Sequence, residues 1–173
     1  ILIGGNDPGS VDQKYLDILG KDSSVMVMTE VTSNVHHDNF ITNIDTIITP
    51  FTDEDFKAFQ PEILITFGGM IVSKRVKAFL RKYKPQNHWH IDLWRAYDTY
   101  GCLTKHFKTT PELFFNQVYN SQTSILSDYK SWIKDLMKYR ATKQTEFTKE
   151  IPFSDFKVFD FLSKSLPKEI QLQ

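Results

Sequence analysis

Pro61-Glu62-Ile63-Leu64-Ile65-Thr66-Phe67-Gly68-Gly69-Met70-Ile71-Val72-Ser73-Lys74-Arg75 is the stretch from which the fold is read. A short apolar run, Ile63 to Phe67, follows a proline and ends on paired glycines, the length and punctuation of a buried strand. Beyond the turn, Val72, Val76, Phe79, Leu80 and Tyr83 recur at helical spacing, with Ser73 placed to cap the helix. One strand, turn and helix unit is complete here.

The pattern repeats on both sides. Apolar runs near Ile1 to Gly5, Val25 to Thr29 and Trp89 to Leu93 are separated by helically periodic segments. That alternation predicts an α/β fold, a Rossmann-like parallel sheet flanked by helices, with a helical C-terminal tail. The first helix is expected to start at Ser10 as N-cap, to carry Val11, Tyr15, Leu16, Ile18 and Leu19 on its apolar face, and to stop at Gly20. A second opens at Thr52, with Asp53, Glu54 and Asp55 suiting the positive helix end, and stops before Gln60-Pro61. Thr110-Pro111-Glu112 begins another, turning Leu113, Phe114 and Val118 to the core. From Tyr129, the residues Trp132, Ile133, Leu136 and Met137 outline a long amphipathic helix that runs into the polar stretch Ala141 to Lys149. A last helix, capped by Ser154, carries Phe153, Phe156, Val158, Phe159, Phe161 and Leu162, more apolar surface than a tail can hide.

Lys plus Arg and Asp plus Glu number 21 each, so no global field draws the chain to nucleic acid or an anionic membrane. Its aromatic residues fall at core spacing rather than among cations, which argues against a base-stacking platform. The single cysteine, Cys102, cannot form an intramolecular disulfide and fits a reducing, cytoplasmic setting. No apolar run approaches the roughly 20 residues of a membrane helix. The sequence opens inside a strand pattern without a methionine, and Pro167 to Gln173 reads as a helix stop followed by the start of another strand. A piece of a longer protein is therefore expected.

Several motifs invite a chemical reading. Gly4-Gly5-Asn6-Asp7-Pro8-Gly9 follows a strand and precedes a helix, but its spacing matches neither a dinucleotide fingerprint nor a Walker loop, so it reads as a turn. His36-His37-Asp38 and His88-Trp89-His90 hold metal-ligating residue types, yet neighbours on a strand point to opposite faces and an H-x-H pair lacks a third ligand. No metal site is expected. There is no G-x-S-x-G nucleophile elbow. Lys74 and Arg75 differ, because two cations in the first turn of a helix are unfavourable by a few tenths of a kcal/mol, roughly, unless an anion lies nearby. Their helix follows the C-terminal end of a parallel strand, where ligands of open α/β sheets collect. Backbone donors, Lys74 and the Arg75 fork could together hold a carboxylate or phosphate. A solvated basic turn is the competing reading.

In order and spacing, Ile1 to Gly5, Thr29-Glu30-Val31-Thr32-Ser33-Asn34, Pro61 to Gly68, Ser73-Lys74-Arg75 and Trp89-His90-Ile91-Asp92 resemble the middle domain of the MenD family. These are thiamine-diphosphate enzymes of menaquinone biosynthesis, the 2-succinyl-5-enolpyruvyl-6-hydroxy-3-cyclohexene-1-carboxylate synthases. The resemblance implies three segments: a Rossmann-like middle domain over 1–119, a helical linker over 120–150, and over 151–173 the start of a truncated diphosphate-binding domain. It implies a transferase that decarboxylates 2-oxoglutarate on thiamine diphosphate, with Mg2+, and adds the succinyl unit to isochorismate. The family's activating glutamate and its metal motif belong to the other two domains. So no catalytic residue, cofactor or metal is expected on this chain, which should be inactive alone. Lys74 and Arg75 match the S-K-R turn that reaches the shared active site, which implies that they bind substrate carboxylates; Ser73 is read as a cap. Val35-His36-His37 stands where some relatives carry an arginine, and no role is carried over there. Expected partners are the other two domains, a second copy in a homo-oligomer (dimer or tetramer) and small-molecule substrates. The alternatives are a noncatalytic nucleotide- or flavin-binding module and a structural spacer.

Overall fold

Five short strands, β1 (Leu2–Ile3), β2 (Met28–Thr29), β3 (Ile63–Phe67), β4 (Asn87–Ile91) and β5 (Leu103–Phe107), form one parallel sheet in the order β2-β1-β3-β4-β5. They belong to a computed structural model that describes residues 1–119, 129–167 and 170. The chain runs outward from β1 to β2, then returns past β1 to β3. The connections leaving β1 and β3 therefore diverge, which opens a crevice at their C-terminal ends.

Among the described residues seven α-helices occur in chain order: α1 (Gln13–Lys21), α2 (Ile44–Ile48), α3 (Asp53–Phe59), α4 (Lys74–Lys82), α5 (Pro111–Tyr119), α6 (Tyr129–Glu150) and α7 (Asp155–Ser165). This is the α/β architecture that the alternating pattern predicts. Because strand side chains alternate, Ile3, Phe67 and Ile91 share one face and bury against Tyr15, Leu16 and Leu19 of α1 and Phe114 and Phe115 of α5. The alternate register, Leu2, Leu64, Thr66 and His88, is buried too. Phe59 of α3 and Phe79 of α4 meet at a tilt with ring centroids 5.4 Å apart, and Trp132 joins Phe59 at 6.1 Å. Lys130 is buried as well, donating from Nζ to the Gly20 and Asp22 carbonyls, both at 2.7 Å, at the end of α1.

Local chemistry explains where the predicted boundaries hold and where they shift. Thr52 and Asp55 cap α3 reciprocally, and Ser154 caps α7. For α1 the cap is Asp12, not Ser10: the Asp12 carboxylate accepts from Lys14 N–H at 3.0 Å, while Ser10 N–H closes a turn onto the Asp7 carbonyl. Gly20 lies inside α1 rather than ending it, because the His37 ring packs against it; a Cβ there would sit 2.2 Å from that ring. Ile18 is exposed, off the core face. The run Val25 to Thr29 pairs only at Met28 and Thr29. β4 starts two residues before the expected strand and ends at Ile91, because the Asp92 carboxylate accepts from Trp94 and Arg95 N–H and turns the chain. Leu113 and Val118 face solvent, and Phe115 takes the core position beside Phe114. Val72 lies before α4 and is 65% exposed. β5 and α2 have no counterpart among the predicted elements.

The described residues divide into two units, Ile1–Ile133 and Lys134–Gln173. In the second, Phe147 meets Phe156 edge-on at 5.8 Å, Gln144 donates to Asp160 at 3.3 Å, and Lys164 pairs with Asp160 at 2.6 Å. No residue of α7 is buried, and Phe153 is 88% exposed. Pro167 follows the end of α7. Most of the strand expected after it, like 120–128 of the expected linker, lies outside the described residues.

Candidate functional site

The entrance of α4 is built around an anion that belongs to the chain itself. Val72 and Ser73 both donate their N–H groups to the Glu30 carboxylate, each at 2.7 Å. Glu30 is fixed in turn: its N–H donates to Ser33 Oγ at 2.9 Å, and that hydroxyl donates to the Ile3 carbonyl at 2.7 Å. The negative partner demanded by Lys74 and Arg75 at a positive helix end is thus supplied internally. Ser73 caps α4 as expected, its Oγ accepting from Val76 N–H at 3.1 Å, and its hydroxyl also donates to Asp45. Lys74 and Arg75 are both exposed. The Arg75 guanidinium donates to the Thr49 hydroxyl, and among the described residues neither cation is in an ion pair within 4 Å. A groove of about 380 Å³ beside them is lined by Glu30, Thr32, Asn43, Asp45, Val72 and Ser73 among others.

A larger cleft, about 1050 Å³, opens where the connections from β1 and β3 part. Its walls come from separate segments: the two glycine loops, Lys77 and Arg81 of α4, Thr66, His88 and His90 of the sheet, and the connection that carries Tyr97 and Tyr100. The glycine loops are stitched together, Gly4 N–H donating to the Phe67 carbonyl at 2.9 Å and Gly69 N–H to the Gly5 carbonyl at 2.6 Å. A Cβ on Gly4 would lie 1.9 Å from the Gly69 oxygen, so the glycines serve close backbone approach here.

The parallel register sets Thr66, His90 and His106 in one row across β3, β4 and β5. His88, two residues before His90, is on the same face. Thr66 Oγ1 lies 2.9 Å from His88 Nε2 and 2.8 Å from His90 Nδ1. Burial, with His90 beside it, pushes the His88 pKa down to about 4; burial also lowers that of His90. Tyr100 packs 5.3 Å from the His88 ring, and burial pushes its hydroxyl up to about 12. His36 stays exposed, and His37 Nδ1 accepts from Asn39 N–H at 3.0 Å. Among the described residues no three His, Cys, Asp or Glu side chains gather as a metal-binding set.

A family model described as "Middle domain of thiamine pyrophosphate" matches residues 8–173. The chain belongs to this family. Over 173 residues, all of its length, this middle domain is 60% identical to the 2-succinyl-5-enolpyruvyl-6-hydroxy-3-cyclohexene-1-carboxylate synthase of Flavobacterium psychrophilum, covering 32% of that protein. Proteins of the same name from Flavobacterium johnsoniae and Christiangramia forsetii are 53% and 44% identical, with 31% and 30% of their lengths covered. The chain thus spans about a third of the length of these curated relatives.

Lys74 and Arg75 were visible in the sequence because they are adjacent and carry their own electrostatic anomaly. Sequence reasoning missed Glu30, which meets α4 across 42 and 43 residues of chain. It read two parts of the cleft wall, Gly4 to Gly9 as a turn and His88-Trp89-His90 as an incomplete metal pair, without joining them into one cavity; Lys77 and Arg81, four apart on one helix face, were a further signal.

Proposed function

We propose that this chain is the substrate-orienting middle domain of a cytoplasmic, thiamine-diphosphate-dependent transferase. That enzyme would decarboxylate 2-oxoglutarate and add the succinyl unit to isochorismate in menaquinone biosynthesis. The match of nearly the whole chain to about a third of the length of synthases of that name supports the reaction. The observation that carries the residue assignment is Glu30 on the Val72 and Ser73 N–H groups, with Lys74 and Arg75 exposed beside it. With those backbone donors taken, a substrate carboxylate at this helix end is held by side chains. Arg75 offers a planar fork and Lys74 a mobile ammonium. Their service is to hold and orient an anionic substrate, which lowers the entropic part of the barrier.

In this proposal residues 1–119 form the middle domain, 120–150 the linker and 151–173 the beginning of the next domain. The partners are the other two domains and a second copy of the enzyme. Thiamine diphosphate supplies the carbanion chemistry when bound with Mg2+. Among the described residues no three His, Cys, Asp or Glu side chains gather as a metal-binding set, and in this proposal the residues that would hold the diphosphate and its metal belong to the other two domains.

The test is kinetic, on the intact enzyme. Lys74→Ala and Arg75→Ala should each lower kcat/KM for 2-oxoglutarate or isochorismate by about ten- to a hundredfold, the worth of one charge-assisted contact, with thiamine diphosphate affinity unchanged. Wild-type kinetics in both variants would favour the spacer reading.

A further inference from the structure

We propose that Thr49, the residue that closes α2, is the positioning residue for Arg75: its hydroxyl holds the guanidinium in one orientation and leaves its charge free for a substrate carboxylate. This role rests on the assignment of Arg75 to a substrate carboxylate made above, and adds to it the residue that sets the geometry.

Chemistry fixes the direction of each hydrogen bond. A threonine hydroxyl has a single proton, and that of Thr49 donates to the Asp45 carbonyl one turn back. Toward Arg75 the hydroxyl can then only accept, which suits a guanidinium, a group that donates and never accepts. The contact takes one N–H of Nη1. The other N–H groups of Arg75 have no partner among the described residues, and they leave an edge of the fork open to a planar carboxylate.

Thr49 stands on a firm base. Ile44, Ile47 and Ile48 of α2 are buried, and the chain that enters the helix is pinned to β2: Ile41 N–H donates to the Val27 carbonyl at 2.8 Å, and Thr29 N–H to the Ile41 carbonyl at 2.9 Å. A second tie, the Ser73 hydroxyl on the Asp45 carboxylate, joins the first turn of α2 to the cap of α4. Arg75 is thus held by an element that is itself anchored to its own helix.

The partner is neutral although acids are at hand. Glu30 and Asp45 both stand at this end of α4, yet Glu30 accepts from the Val72 and Ser73 N–H groups and Asp45 from the Ser73 hydroxyl, and among the described residues Arg75 is in no ion pair within 4 Å. A carboxylate on Arg75 would compete with the substrate. A hydroxyl orients the fork without offsetting its charge. Fixing a long, exposed side chain in advance also removes an entropic cost that substrate binding would otherwise carry.

The experiment measures steady-state kinetics of the intact enzyme, with 2-oxoglutarate and isochorismate varied in turn. Thr49→Val keeps the shape of the side chain and the Thr49 N–H bond to the Asp45 carbonyl, 3.0 Å, but removes the acceptor. It should raise KM for one of these substrates about three- to tenfold, the worth of one side chain ordered in advance, and leave kcat within about twofold. Thr49→Ser, which keeps the hydroxyl, should restore KM to near the wild-type value. In an Arg75→Ala background Thr49→Val should add nothing, because both residues act through one contact. A threonine that served only stability would instead lower kcat with the active fraction and leave KM alone. Unchanged KM for both substrates in Thr49→Val, beside an impaired Arg75→Ala, overturns the positioning role alone; so does equal impairment of the Val and Ser variants, or a further loss in the double variant. Wild-type kinetics in Arg75→Ala overturn the assignment of Arg75 and this role with it. If Thr49→Val does not fold, Thr49→Ala decides the matter by the same comparisons.

Discussion

Replacing Glu30 by alanine tests the α4 entrance directly. The substitution removes two N–H···O⁻ bonds of 2.7 Å, to Val72 and Ser73, and one of the negative charges, with Asp45, at that helix end. Hydrogen bonds to charged groups contribute about 1.5–3 kcal/mol each when both partners are shielded. Val72 is 65% exposed, so water recovers much of its share, and the low end of that range applies. Adding a few tenths of a kcal/mol for the helix end gives a net loss of about 2 kcal/mol. That corresponds to roughly a 30-fold larger opening constant. Native-state hydrogen exchange reads it at Val76 N–H, which donates to Ser73 Oγ, against Leu64 N–H in β3 as the internal reference. Protection should fall about 30-fold at the first and much less at the second, and Glu30→Gln, which keeps one acceptor, should restore part of it. A change at Val76 below about threefold in Glu30→Ala would refute the view that this carboxylate holds the entrance.

Two further predictions concern stability. Gly4→Ala places a methyl 1.9 Å from the Gly69 carbonyl oxygen, backbone against backbone, and should destabilise by more than about 3 kcal/mol, read as a fall in the urea midpoint; wild-type stability would mean that the two loops are not stitched as described. His88 titrates near 4 in the folded chain against 6.5 in the unfolded one, so between those values the unfolded state binds a proton that the folded state does not. Stability should therefore fall as pH is lowered from about 6.5 toward about 4, the depressed His90 acting in the same direction, and His88→Gln should flatten this slope. An equal slope in the variant would place the titrating group elsewhere.

The β3 to α4 unit was legible because its signals are local: four apolar residues in a run of five, a glycine pair, a capping serine and helical spacing within 23 residues, Pro61 to Tyr83. Thr52, Thr110 and Ser154 were legible for the same reason, since a cap bonds an N–H only two or three residues ahead. The same logic misplaced the start of α1, where Ser10 and Asp12 are both good caps and the turn back to Asp7 decides between them. β5 was illegible because it is an edge strand, paired only to β4. Its Leu103 and Phe107 stay half-buried and its Thr104 and Lys105 exposed, so it has no apolar run.

By itself the sequence determined the α/β class, most of the helices and the pair of cations at Lys74 and Arg75, all of which rest on interactions within a turn or two of chain. Only the tertiary structure decided what those cations face and which buried groups meet. Glu30 arrives at the α4 entrance from the far side of β1, and Thr66, His88 and His90 meet through the parallel register of two strands. The connections leaving β1 and β3 diverge because the strand order reverses between them. Each of these depends on backbone hydrogen bonds between segments tens of residues apart, and no local pattern encodes which segments will pair.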